Sequence, residues 1–98
     1  MIFVCIMEYV GVEEIARVRP RHRAYMKQLV NDGKVIAAGS FTPDGEGGLF
    51  MYEAEGLAAA QEMVAQDPYI LEGVITVHRL RPYEVHGVNP NLLRITHA

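Results

Sequence analysis

The stretch "IFVCIMEY", Ile2 to Tyr9, constrains the fold more than any other part of the chain. It is β-branched and aromatic, and it reads as a strand. Alternate residues point to opposite faces, so Ile2, Val4 and Ile6 share one side and Phe3, Cys5, Met7 and Tyr9 the other. Both sides are apolar. A strand of that kind is buried on both faces, which calls for a layer above the sheet and another below it.

The rest of the chain supplies only one of those layers. Pro20 fits the first position of a helix, where its missing N–H is no loss. That helix runs to about Asp32 and Gly33 closes it. Residues 11–18 read as a loop with at most one helical turn. "KVIAAGSFTP" and "GLFMYEAE" are strands joined by the glycine-rich turn "DGEGG", which makes an antiparallel hairpin. The glycines invite a phosphate-loop reading. It fails, because a phosphate cradle opens a helix and here a strand follows. "GLAAAQEMVAQD" is a second helix, with Leu57, Ala60, Met63 and Val64 as its apolar stripe and Pro68 as its stop. "YILEGVITVHRLRPYEV" holds the last strand, with Gly73 marking a bulge.

The order is β-α-β-β-α-β, an α+β ferredoxin-like plan. A four-stranded antiparallel sheet carries both helices on one face. Its other face has nothing in residues 1–85 to cover it, and the simplest cover is a second copy in a two-fold dimer, sheet to sheet. The tail 86–98, "HGVNPNLLRITHA", is a separate piece whose "NLLRI" suits docking on a partner.

Charge narrows the function classes. The net charge is −3, which argues against a nucleic-acid binder, and the sheet face such proteins use is assigned to the dimer. Arg17, Arg19, Arg21 and Arg23 do cluster, but a run this short is ordinarily a solvated helix face. No segment approaches the ~20 apolar residues of a membrane span. With no signal-like start, the cytoplasm is the expected compartment. Cys5, the only cysteine, sits in an apolar run and reads as a small buried hydrophobe.

Three residues stand out chemically. His22, Tyr25, Met26 and Leu29 form one stripe of the first helix, so an imidazole points where packing alone would place a leucine. In the helix's first turn, the positive end of the helix dipole would favour the neutral imidazole. It is either a proton acceptor or a core histidine tied to a carbonyl. Asp67 extends the apolar stripe of the second helix at its C-terminus, an unfavourable place for a negative charge. It is either a turn-forming Asp before Pro or a carboxylate partner for His22. Ser40, the only serine, follows Gly39 late in the second strand, where the missing side chain lets a ligand approach the backbone. "AGSFT" is not a nucleophile elbow, so a substrate-binding hydroxyl is the stronger reading. His78, His86 and His97 have no metal-ligand spacing. Arg79 and Arg81 share a strand face and suit an anionic ligand or acids across the dimer.

The ordered set "RPRHRAYMKQLVNDGKVIAAGSF", "GGLFMYEA", "QDPYILEGV" and "LRPYEV" resembles the YciI-like (YCII-related) proteins over residues 1–85. That resemblance implies a dimeric α+β barrel with a shared histidine and aspartate, which fall on His22 and Asp67. It also implies a glycine and following residue at the end of the second strand, which fall on Gly39 and Ser40. One relative is similar to dechlorinating enzymes of aromatic breakdown, and muconolactone isomerases share the barrel plan. Such reactions need a placed proton acceptor and no redox cofactor.

Two readings follow. In the first, a cofactor-free enzyme acts on a small aromatic-derived or carbonyl-bearing metabolite. His22 is its acid–base, Asp67 orients the imidazole, and Gly39, Ser40, Tyr25, Tyr69 and Arg19 line the substrate site. In the second, the chain is a non-catalytic ligand-binding or protein-interaction module. A His22–Asp67 contact beside a cavity of a few hundred Å³ separates them.

Overall fold

A computed structural model describes residues 1–95 of the chain. Its elements are β1 (Ile2–Tyr9), α1 (Val12–Asn31), β2 (Val35–Ser40), β3 (Gly47–Glu53), α2 (Leu57–Ala65), the short α3 (Pro68–Leu71) and β4 (Ile75–Tyr83). The sheet is antiparallel throughout, in the order β2-β3-β1-β4. This is the ferredoxin-like α+β plan.

Pairing in register sorts the two faces. Cys5 lies opposite Phe50 on one side and Leu80 on the other, and Phe3 opposite Tyr52 and Pro82. Phe3, Cys5, Met7, Phe50 and Tyr52 are all buried under the helices. The opposite face carries Ile2, Val4, Ile6, Leu49 and Met51, none of them fully buried, and Ile6 is 44% exposed. The helices therefore cover one face only.

The first helix differs from expectation at its start. It begins at Val12, and Pro20 lies inside it. An interior proline removes one helical hydrogen bond and costs about 3 kcal/mol. The cost is offset because Ile15 and Val18 extend the buried stripe of His22, Met26 and Leu29 two turns toward the N-terminus. Glu13 and Glu14 in the first turn also suit the helix dipole. At the other end Gly33 adopts φ 73°, and Lys34 N–H bonds back to the Leu29 carbonyl, the expected left-handed closure.

Three further expectations are corrected. α2 ends at Ala65, and Pro68 opens α3 instead of merely stopping α2. Leu57, expected on the buried stripe, is 46% exposed, while Ala60 and Val64 are buried. Gly73 is no bulge. It turns the chain after α3 at φ 71°, and the irregularity between β1 and β4 falls at Glu8/Tyr9.

At the start of β3, a Cβ on Gly47 would strike the Met7 carbonyl, and one on Gly48 would lie 2.6 Å from the Tyr9 hydroxyl. These glycines let β3 press against β1; they do not cradle a phosphate. Cys5 is fully buried, and burial pushes its thiol up to about 11, with the Asp67 charge adding to the rise. Burial disfavours the thiolate, so the folded chain should react with Ellman's reagent at about pH 8 far more slowly than the urea-unfolded chain. Equal rates would contradict this packing. No helix among the described residues is long and apolar enough to cross a membrane.

Candidate active site

His22 and Asp67 meet. His22 Nδ1 lies 2.8 Å from Asp67 Oδ1, with both side chains buried. The contact arises from the two local features that the sequence gets partly wrong. His22 sits in the middle of α1, not in its first turn, so the helix-dipole effect expected there does not apply. Asp67 is not at a helix C-terminus. It is the N-cap of α3, with φ −63° and ψ 128°, and its Oδ1 accepts the Tyr69 backbone N–H at 2.9 Å. An aspartate is favourable there, because it satisfies an orphan donor of the helix and pairs with Pro68 at the first helical position. The same Asx turn before Pro that a bland reading assigns to Asp67 is what aims its carboxylate at α1.

One oxygen, Oδ1, thus accepts from two nitrogens. In a neutral imidazole, donation to that carboxylate oxygen puts the proton on Nδ1 and leaves the lone pair on Nε2. The ring is fixed on its other sides by aromatic neighbours. Tyr69 stacks on it with centroids 3.8 Å apart and planes within 7°, and Phe50 meets it edge-on at 5.2 Å. Tyr9 in turn packs against the edge of Tyr69 at 5.3 Å. Burial raises the tyrosine hydroxyls at 9, 52 and 69 above their ordinary value, and the Asp67 charge contributes at each. Asp67 Oδ2 and the Tyr52 hydroxyl are buried with no hydrogen-bond partner among the described residues.

His22 opens on a cavity of about 650 Å³. Met26, Phe50, Tyr9 and Tyr69 form its apolar wall, and Arg19, Arg23, Asp44, Gly39 and Ser40 its polar rim. Arg19 is held by Asp44, from the β2–β3 turn, at 2.7 Å. Ser40 is exposed on the rim and makes no hydrogen bond to His22, so the geometry offers no serine nucleophile. Tyr25 does not line the cavity. Its hydroxyl donates to the Met63 carbonyl at 2.6 Å and ties α1 to α2. Arg17 and Arg21 pair with Glu72 on the surface, and these pairs brace α1 against α3. Ile95 of the tail also borders the cavity, while His97 lies outside the described residues.

The sequence reading missed Tyr9, Arg23, Asp44 and Phe50. Arg23 is exposed, as its place on the solvated helix face predicts, and it borders the cavity from that side. A signal was present, since Arg19, His22, Arg23 and Met26 stand at i, i+3, i+4 and i+7 on one helix face. Tyr9, Asp44 and Phe50 reach the site only through strand register and turn geometry.

Comparison with known proteins places this architecture. The YCII-related domain matches residues 1–84. The chain belongs to that family. A search of curated proteins finds no match. Among solved structures, one similar fold is the 5-chloro-2-hydroxyhydroquinone dehydrochlorinase of Burkholderia phenoliruptrix AC1100, in complex with 2,5-dihydroxybenzoquinone. It superposes with a TM-score of 0.78 at 20% identity, over 89% of this chain and 96% of that one. An antibiotic biosynthesis monooxygenase gives a TM-score of 0.61 at 15% identity, over 89% of this chain and 100% of that one. At such identities the likeness is one of fold.

Proposed function

We propose that this YCII-related protein is a small-molecule enzyme of the lyase, isomerase or dehalogenase type, in which His22 acts as general acid–base and Asp67 holds it. The observation that carries this reading is the buried 2.8 Å His22–Asp67 hydrogen bond beside a cavity of about 650 Å³. The cavity falls in the size range of small-molecule sites, and its lining joins aromatic and aliphatic side chains to a comparable share of polar ones. Nε2 takes a proton from the substrate. In an elimination the leaving group, a halide for instance, departs with its bonding pair, so the net change is loss of HX. In an isomerisation the same proton returns at another atom. Both balance by proton transfer alone.

The name and ligand of the dehydrochlorinase lend a substrate class: a hydroxylated, chlorinated six-membered ring. Tyr69 and Phe50 offer such a ring apolar contact, Ser40 and the Gly39 backbone offer hydrogen bonds to its oxygens, and Arg19 borders the same space. The test is incubation with 5-chloro-2-hydroxyhydroquinone and related chlorinated hydroquinones, following chloride release. The expected result is release by the native protein and none above background by His22→Gln. A panel that binds without turning over would favour a non-catalytic module instead.

The working form in this reading is a cytoplasmic homodimer. The open sheet face supports it: Val4, Ile6, Leu49 and Met51 form an apolar centre, with Arg79 and Arg81 on β4 and Glu8 and Glu53 at the margins. An isologous pairing buries the first set and apposes opposite charges. Residues 1–85 are the catalytic unit, and the tail docks on the partner subunit. Val88, Leu92, Leu93 and Ile95 are all more than 60% exposed, as segments awaiting a cover are. Sedimentation should give twice the chain mass for the native protein and the chain mass for Ile6→Lys. A native monomer would contradict the dimer.

A further inference from the structure

The cavity's rim charge is not balanced. Arg19 is neutralised by Asp44 at 2.7 Å. The Asp67 carboxylate is fully buried and turned to His22. Arg23 borders the same cavity, one helical turn beyond Arg19, and forms no ion pair among the described residues. The rim thus keeps one uncompensated guanidinium. The same cavity is lined by four rings, Tyr9, His22, Phe50 and Tyr69, an aromatic wall that suits a planar ligand.

Resting on the proposed reading of this pocket, we propose that its ligands are planar ring compounds carrying an oxyanion, and that Arg23 is the residue that selects for that charge. The ring packs on the aromatic wall, and the anionic oxygen faces Arg23 at the rim, where a guanidinium presents forked donors to it.

The test uses matched charged and neutral rings, with binding read from the His22 ring and Tyr69 NMR signals. For a carboxylate the pair is benzoate and benzamide; for a ring oxyanion it is 4-nitrophenolate and 4-nitroanisole. In at least one pair the anion should bind about tenfold tighter or more, as expected of one charge-assisted contact, and the difference should shrink as salt is added. The pair that responds identifies the source of the anion. Arg23→Gln should abolish the preference, Arg23→Lys should retain part of it, and His22→Gln should leave it in place. Equal binding of both members in both pairs, absent binding included, would overturn the proposal, as would a preference that survives in Arg23→Gln. No turnover is read here, so failure of this inference is distinct from failure of the catalytic reading, which a fully active His22→Gln would sink.

Discussion

His22→Gln should lose turnover by about 10²–10⁴-fold, the usual worth of a placed general acid–base, while remaining folded. Glutamine offers a side-chain N–H to Asp67 Oδ1, so the buried acceptor stays satisfied and stability should fall by only about 1–2 kcal/mol. It cannot take a proton at the position of Nε2. The variant therefore separates the chemistry from the packing. The check is kcat on a responsive substrate beside a urea melt and a circular dichroism spectrum. Activity within a few fold of native would remove His22 from the mechanism.

His22→Ala should behave differently, and the contrast is the second large effect. Alanine removes the donor and leaves the fully buried Asp67 carboxylate with the Tyr69 N–H alone. Breaking a buried pair from one side costs about 3–5 kcal/mol, because the abandoned group stays out of water. Here the Tyr69 stacking and the Phe50 edge contact are lost as well. For a domain of this size that is a large share of total stability. Asp67→Ala should cost less. It deletes the buried charge itself, and what remains is a lost helix cap, worth about 1 kcal/mol, and an unsatisfied imidazole N–H, worth about 1–3 kcal/mol. The double variant should be less destabilised than the sum of the two singles, by roughly 0.5–3 kcal/mol in a urea-melt cycle. Strict additivity would mean that the two side chains do not interact.

Much of the fold was legible because it rests on local rules. The strand alternation at Ile2–Tyr9, the hairpin around the glycines and the closure at Gly33 are each set by a few neighbouring residues. Pro20 misled, because a proline's preference for the first turn is a local rule, and here burial of Ile15 and Val18 overrides it. The error moved His22 to the wrong part of its helix. For Asp67 the extended conformation before proline was legible, but its consequence was not. A single residue, Gln66, separates α2 from the cap of α3, and a four-residue helix leaves no periodic pattern to read. The pairing of His22 with Asp67 spans 45 residues and depends on α3 packing against α1. No spacing within either segment encodes that. The rim residues were lost for the same reason: Asp44 comes from a turn, Phe50 from strand register, and only Arg23 lay on a stripe already in view.

The central claim is that Asp67 fixes the His22 tautomer so that Nε2 faces the cavity with a free lone pair. The most direct measurement is the long-range ¹H–¹⁵N spectrum of the histidine rings, with His22 assigned by its absence in His22→Gln. With the imidazole neutral, the account predicts a protonated Nδ1 and an unprotonated Nε2, with Nε2 shifting when a pocket ligand such as benzoate is added. A His22 ring protonated at Nε2 and bare at Nδ1, or an Nε2 signal indifferent to every ring compound tried, would contradict it.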